Sequence, residues 1–482
     1  MNTRRLGKTG LFVSEIGFGG EWLERHPEDE SIELIRYAAS KGVNLLDCWM
    51  PDPKSRDIIG KGIHENRAHW IIQGHVGSTW KDGQYFRTRD MRYVKPAFED
   101  LLRRMQTDYI DLGMIHYVDS EEEWEKIQHS DYLDYVMELK RSGTIRHIGI
   151  SSHNPKVARK AALSGYVEMI LFSINPAFDM LPASENIDTL FADSYDASLR
   201  GIDADRALLY RTCEQNDVGI TVMKGFAGGR LFDEKRSPFG VRLTPVQCIH
   251  YALTRPAVGS ILCGYDTKEQ LDEAVGYETA SEAEKDYASV LANAPLHSYR
   301  GECTYCGHCK PCVANLDIAM INKFYDLATM QPEVPATIQS HYELLTHKAS
   351  ECIGCQACES RCPFGVPIAE RMRKEGRYLV MIHAFFNKDG EADISYDYAV
   401  DPAVESYHVI GEMKVPSISE IYDTAASWPE RELNELMGIE FEGLDVSQRL
   451  FLPEDMLETQ GKGQILVMPL KELVDKNLKE EQ

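Results

Sequence analysis

An α/β protein built on a closed (β/α)8 TIM barrel is the fold class the sequence predicts, and two observations predict it. Eight apolar strand-like runs alternate with amphipathic helical segments over about 290 residues, the size and rhythm of such a barrel. No G-x-G-x-x-G turn follows the first strand, which leaves the doubly wound open sheet as the runner-up. The strands fall at 15–18, 44–47, 70–74, 109–115, 147–151, 169–172, 219–223 and 260–263. Helical patterns lie between them at 31–41, 91–105, 132–142, 155–164 and 205–216.

The chain has 482 residues, 43% hydrophobic and 27% charged, with a formal net charge of −24. Such an acidic balance offers no footprint for nucleic acid or for an anionic membrane surface. Solubility accounts for it, and docking to a basic redox partner is the alternative. No stretch is long and apolar enough to span a bilayer, and no apolar h-region follows Met1-Asn2-Thr3-Arg4-Arg5. A cytoplasmic location is expected, where thiols stay reduced.

Eight of the twelve cysteines fall in two runs: Cys303, Cys306, Cys309, Cys312, and Cys352, Cys355, Cys358, Cys362 followed by Pro363. The second is the C-x2-C-x2-C-x3-C-P run of bacterial two-cluster ferredoxins, and the first is one residue shorter. Three thiolates at i, i+3 and i+6 wrap three corners of a cuboidal cluster, and the fourth leads away to ligate the other cluster. The expected sets are Cys303, Cys306, Cys309 with Cys362, and Cys352, Cys355, Cys358 with Cys312. Structural zinc sites pair two separated C-x2-C units and fit this pattern poorly. Disulfides are disfavoured in a reducing compartment. Of the scattered cysteines, Cys213, Cys248 and Cys263 read as small buried hydrophobes, and Cys48 adjoins Asp47 in a candidate site.

Chemistry in such a barrel sits at the C-terminal strand ends. These supply Asp47, His75, His116, Ser151, Ser152, His153, Asn154, Lys224 and Gly264. A single polar residue there is more often a cap, but Asp47 and His116 together point to function.

These residues resemble the aldo/keto reductase superfamily, in the branch fused to a ferredoxin domain. The matching pieces are Arg5-Leu6-Gly7-Lys8-Thr9-Gly10-Leu11, Gly42-Val43-Asn44-Leu45-Leu46-Asp47, and Asp108-Tyr109-Ile110-Asp111 leading to Ile115-His116. Ile148-Gly149-Ile150-Ser151-Ser152-His153-Asn154, Met223-Lys224, Gly228-Gly229 and Gly264 with Leu271 continue them. The resemblance spans residues 1 to about 375. It implies a tetrad of Asp, Tyr, Lys and His in which Tyr protonates the carbonyl while nicotinamide delivers hydride. Asp47 and His116 fall on the first and last positions, but Asp52 stands for the Tyr and His75 for the Lys. His75 can donate a proton itself, and Tyr85 and Tyr117 are alternative donors that nothing in the sequence places. A Gln expected near Leu171 is missing. Asp266 stands where the family often carries an Arg for the 2′-phosphate, so NAD(H) is favoured over NADP(H).

Beyond the second cysteine run, 385–390 reads as a turn, 406–415 as a strand and 421–437 as a helix. Val415-Pro416-Ser417-Ile418, Trp428, Glu430-Arg431-Glu432 and Gly438-Ile439-Glu440-Phe441-Glu442-Gly443 resemble the C-type subunit of respiratory NADH dehydrogenase. Arg449-Leu450 and Leu452-Pro453-Glu454-Asp455 extend the likeness. It implies a module that holds no cofactor and docks a ferredoxin or a subunit of a redox complex.

The expected organisation is a TIM barrel over 1–299, an α-helical bacterial-type ferredoxin domain over 300–375, and a small α/β extension over 376–482. The expected function is an iron–sulfur oxidoreductase with two [4Fe–4S] clusters and a small-molecule substrate at Asp47, His75 and His116. Two other readings remain: a docking subunit with a degenerate barrel, and an acid/base enzyme without net redox that uses His75 and Asp52.

Overall fold

The computed structural model describes residues 1–446 apart from Trp22, Asp193, Ser298, Glu302, 330–333, Pro335, Glu370, 373–377, 401–402 and 420–423. The expected matches at Arg449-Leu450 and 452–455 lie outside the described residues. The chain divides into two compact units. One joins Met1–Pro311, Asp317–Leu345 and Ala357–Val366; the other joins Cys312–Leu316, Thr346–Gln356 and the chain from Pro367 onward.

An antiparallel hairpin of β1 (Thr3–Arg5) and β2 (Phe12–Ser14) opens the first unit. The barrel strands are β3 (Ile16–Gly19), β4 (Leu45–Cys48) and β5 (Ile71–Val76), followed after an excursion by five more. The excursion is a second hairpin, β6 (Ser78–Lys81) and β7 (Gln84–Arg87). Then come β8 (Ile110–Ile115), β9 (Ile145–Ser152), β10 (Met169–Ser173), β11 (Gly219–Met223) and β12 (Val258–Gly264). All eight pair in parallel, and β12 returns to β3 to close the ring. Parallel strands covered by helices on one side and packed side chains on the other are buried on both faces. Hence β4, β8 and β10 are buried at every position.

The opening hairpin plugs the N-terminal end of the barrel. Leu6 and Val13 join Leu45, Leu112, Met114, Met169, Leu171 and Leu262 in the barrel's interior core. Removing a side chain such as Leu6 from water stabilises by about 1.5–3 kcal/mol. Gly7 makes this approach possible: its φ is +49°, and a Cβ there would lie 2.3 Å from the Gly219 nitrogen. The helices after the strands start on side-chain caps, among them Asp52, Asn154, Asp203, Thr244 and Thr267. No helix among the described residues is long and apolar enough to cross a membrane.

In the cysteine-rich stretch, helices Ile318–Ala328 and Ala336–Glu343 pack through Phe324, Leu327 and Ile338. Lys323 Nζ donates to Glu214 Oε1 (2.8 Å), and Gln215 Nε2 to the Leu327 carbonyl (3.2 Å), pinning the first helix to barrel helix Ala204–Gln215.

The second unit holds an antiparallel sheet of β13 (Tyr378–Phe386), β14 (Ala392–Val400) and β15 (Ala403–Ile410). Helix Thr424–Met437 packs on it through Ala426, Leu433 and Met437, against Ile382, Ile394 and Tyr396. Two short strands, β16 (Lys414–Pro416) and β17 (Glu440–Glu442), pair in parallel beside it. The turn read at 385–390 is shorter, because β13 runs to Phe386. The strand read at 406–415 is broken at Gly411, whose φ of +82° turns the chain. The helix read at 421–437 is described from Thr424.

Two glycine substitutions separate steric from backbone cost. Gly10 also has a positive φ, +70°, but open space around it. Gly10→Ala is expected to cost about 1 kcal/mol of left-handed strain. Gly7→Ala adds overpacking and costs about 3 kcal/mol in all. Urea unfolding followed by barrel fluorescence checks this: the midpoint falls more for Gly7→Ala, and equal shifts would contradict the plug.

Candidate functional site

The C-terminal strand ends open into a cavity of about 1000 Å³. Asp47 at the end of β4 is 3% exposed and governs its floor. A buried carboxylate needs donors, and β5 supplies two. Gln73 and His75 stand two residues apart, so both project to the same face of the strand. Gln73 Nε2 donates to Asp47 Oδ1 (2.8 Å), and His75 Nε2 lies 3.0 Å from the same oxygen. Across the barrel, Thr221 Oγ1 of β11 donates to Gln73 Oε1 (2.8 Å), fixing the amide's orientation.

The row continues outward. His75 Nδ1 lies 2.8 Å from Nδ1 of His116, which follows β8. His116 Nε2 lies 2.8 Å from the hydroxyl of Tyr85, on β7 of the excursion hairpin. Trp49 backs both rings, stacked on His116 and edge-on to Tyr85. The backbone around them is clamped: Arg87 Nη1 donates to the Tyr117 carbonyl (2.7 Å), and Arg89 Nη2 donates to the His116 carbonyl (2.5 Å). Tyr117 and Lys224 adopt left-handed φ of +47° and +59° at their strand ends, local strain of the kind held at functional sites.

Burial sets the protonation states. His116 is pushed well below its usual value of 6.5, first by desolvation and then by His75 and the nearby arginines. His153 is lowered chiefly by burial, against the opposing pull of Asp119. Burial raises the Tyr85 hydroxyl to about 12. It also raises Glu21, partly opposed by Lys224, whose own pKa is lowered by desolvation.

Of the residues expected at the site, Asp47, His75, His116, Ser151, Lys224 and Gly264 line the cavity. Three are used elsewhere. Asp52 caps helix Pro53–Ile63, accepting from the Ser55 amide (2.9 Å), and is absent from the lining; a role for it beside His75 is corrected accordingly. Ser152 Oγ donates to Asp119 Oδ1 (3.0 Å). Asn154 caps helix Pro155–Leu163 and donates to the Asp119 carbonyl (2.9 Å). Tyr85, an alternative donor that the sequence could not place, and His153, from the strand-end run 151–154, also stand at the site. Gln73, Trp49 and Glu21 complete its surroundings, and sequence reasoning did not assign them.

The remainder of the cavity is a groove past Gly264, Asp266, Gln270 and Ala274, with Gly228, Gly229 and Arg242 also in the lining. Asp266 presents a largely exposed carboxylate that pairs with His26 at 3.0 Å.

These features meet in known proteins. Residues 15–247 match the Aldo/keto reductase family, and residues 365–473 match the Respiratory-chain NADH dehydrogenase, 30 Kd subunit. Residues 15–247 form an aldo/keto reductase domain. The chain is an oxidoreductase, similar to that family over those residues. It is 27% identical over 286 residues to the uncharacterized oxidoreductase YqkF of Bacillus subtilis, covering 57% of this chain and 90% of that one. It is 32% identical over 161 residues to the aldo-keto reductase YhdN of the same organism, covering 32% of this chain and 47% of that one. Among solved structures, the holo form of aldo-keto reductase AKR11C1 from Bacillus halodurans superposes with a TM-score of 0.45. Its identity is 22%, over 59% of this chain and 94% of that one. The aldo/keto reductase domain thus departs from the expected tetrad at two of four positions, with Asp52 withdrawn into a helix cap and His75 in the row beside Asp47.

Outside the aldo/keto reductase domain, the Cys309 thiol is 8% exposed and pushed up to about 12, first by burial and then by Cys306, Cys358 and Cys362. Arg361 Nη2 donates to the Cys309 carbonyl (2.7 Å), tying the two runs together. Cys312, Cys352 and Cys355 belong to the second compact unit. Among the described residues, no group of three or more His, Cys, Asp or Glu closes on one point as a single ion would require. A cuboidal cluster instead places several of its own atoms between any two of its thiolates. Cys48, Cys213, Cys248 and Cys263 are buried, and burial raises all four thiols, Cys48 to about 12.

The depressed histidines predict acid sensitivity. The unfolded chain protonates His116 and His153 near 6.5, while the folded protein resists it. Their contribution is therefore complete above that value and declines as pH falls through it. The melting temperature should drop between about pH 7.5 and 5.5, and His116→Gln should reduce the drop. An unchanged slope would contradict a buried neutral imidazole.

Proposed function

We propose that this chain couples two [4Fe–4S] clusters to the oxidation or reduction of a small carbonyl or alcohol substrate in the barrel cavity. The observation that carries this reading is the Arg361 hydrogen bond to the Cys309 carbonyl (2.7 Å), which ties the second cysteine run to the first within the compact unit that also contains the cavity. Cysteines brought together in this way suit a cationic partner that takes them as thiolates. Cys303, Cys306, Cys309 and Cys362 would hold one cluster, and Cys352, Cys355, Cys358 and Cys312 the other. When bound, the clusters supply one-electron carriers whose potentials follow from charge, exposure and hydrogen bonds to sulfur.

In the cavity, Asp47 orients His75, and Ser151, Lys224 and Gly264 would contact a nicotinamide cofactor along the groove. The Asp266 carboxylate repels a 2′-phosphate and supports NAD(H) over NADP(H). His116 is held neutral by burial and links His75 to the Tyr85 hydroxyl at the cavity wall. A buried neutral imidazole hydrogen-bonds without the cost of burying its charge.

The match at residues 365–473 favours a second role alongside this one, docking a redox-complex subunit or a ferredoxin. The outer face of the three-stranded sheet suits it: Phe385 and Ile410 flank Asp393 across the strands and, with Met381, are about half exposed.

Anaerobic purification followed by iron and sulfide analysis should return about eight of each per chain. NADH should bleach the cluster absorbance, with NADPH at least about tenfold weaker. Cys309→Ala should remove about half the iron. Zinc in place of iron, or clusters that stay oxidised with every nicotinamide, would refute the coupling.

A further inference from the structure

The proton donor of the aldo/keto reductase resemblance is missing from its strand-end position, since Asp52 caps a helix. The cavity has two tyrosines near His116, Tyr85 and Tyr117. They differ in one respect. The Tyr85 hydroxyl lies 2.8 Å from His116 Nε2, whereas the Tyr117 ring is engaged edge-on by His153 and over its face by Arg87.

The hydrogen bonds assign the protons along the row. Asp47 Oδ1 already accepts from Gln73, whose amide is oriented by Thr221, so the carboxylate faces His75 as an acceptor. His75 therefore carries its proton on Nε2 and presents a lone pair at Nδ1. His116 must donate from its own Nδ1, which leaves His116 Nε2 to accept from the Tyr85 hydroxyl. Every donor has one acceptor.

We propose that Tyr85 is the catalytic acid and base for the substrate oxygen, exchanging its proton with His75 through His116. This rests on the carbonyl or alcohol reading given above. In alcohol oxidation, the substrate C–H bond breaks as hydride leaves for an oxidised nicotinamide-class acceptor, and the C=O double bond forms. The substrate hydroxyl proton passes to the Tyr85 oxygen, and the original Tyr85 proton passes to His116 Nε2. His116 gives its Nδ1 proton to His75 Nδ1, and His75 becomes an imidazolium paired with Asp47. Asp47 stays ionised, as an orienting carboxylate does beside a catalytic histidine. Carbonyl reduction runs the row backwards. Neither a free phenolate nor a charged His116 forms, and burial disfavours both.

The row takes the place of the tyrosine and lysine pair: Tyr85 arrives from a hairpin, and His75 stores the proton beside the carboxylate. The charged and titratable groups facing it are Asp47 from β4, Arg87 and Arg89 after β7, and His153 after β9. Glu21 after β3, Tyr117 after β8, Glu123 beside the two arginines and Lys224 after β11 complete the set.

Nitrogen-15 NMR of histidine-labelled full chain tests the row without a substrate. At alkaline pH the expected pattern is His75 protonated on Nε2 and His116 on Nδ1. As His75 gains its second proton, His116 should switch to the Nε2 tautomer. Tyr85→Phe removes the acceptor for that Nε2 proton and should weaken the switch. A His116 that holds its proton on Nε2 at alkaline pH, or that fails to switch, overturns the proposal, whether or not Tyr85→Phe folds. With NADH and 4-nitrobenzaldehyde as probe, Tyr85→Phe should lower kcat about 10²- to 10⁴-fold with KM and NADH binding nearly unchanged. Wild-type activity retained in Tyr85→Phe also overturns it. Absence of turnover in the wild type counts against the substrate reading instead, and the tautomer switch still decides the row.

Discussion

The Asp47 carboxylate, buried at the end of a barrel strand, is the constraint on which the site depends. Taking an ionised carboxylate out of water costs several kcal/mol unless donors replace its hydration. Those donors can come only from the adjacent strand, whose alternate residues face the same interior. Gln73 and His75 meet that need, and each then requires its own partner, Thr221 on one side and His116 on the other. One buried charge thus orders side chains from β4, β5, β8 and β11.

Closure of the barrel makes such a demand affordable to the fold. The hairpin that seals the N-terminal end adds Leu6 and Val13 to the interior core, so the polar row sits on a packed floor. The clamps from Arg87 and Arg89 serve the same end above it. They hold the backbone after β8 so that His116 cannot swing away from His75.

The barrel strands were legible because burial on both faces writes them as apolar runs. The interval 219–223 coincides with β11, and the others differ by at most two residues at either end. Asp47, His75 and His116 were legible as polar residues that abruptly end those runs. Asp52 was misread for a reason also present in the sequence: Asp followed by Pro is a helix-start signal, as is Asn154 followed by Pro155. Tyr85 carried no such signal. Its hairpin is short and mostly exposed, so no apolar period marks it, and its meeting with His116 exists only in the folded chain. The sheet formed by β13 and β14 was also unread, while the residues resembling the NADH dehydrogenase subunit were recognised and matched by a family comparison.

The excursion between β5 and β8 sets the architecture apart. A reactive group fixed to a barrel strand is bound to the register of all eight strands and can change only with them. A group carried on a two-stranded ribbon answers to the ribbon alone. Tyr85 is attached to the site by its hydroxyl and by ring contacts with Trp49 and His116, and apart from the Arg87 clamp its strand is exposed. The barrel supplies a permanent socket of carboxylate and imidazoles, and the ribbon supplies an interchangeable plug. The chemistry can change by rewriting the ribbon's exposed tip, residues 80–86, with the Arg87 clamp and the packing of the barrel left in place.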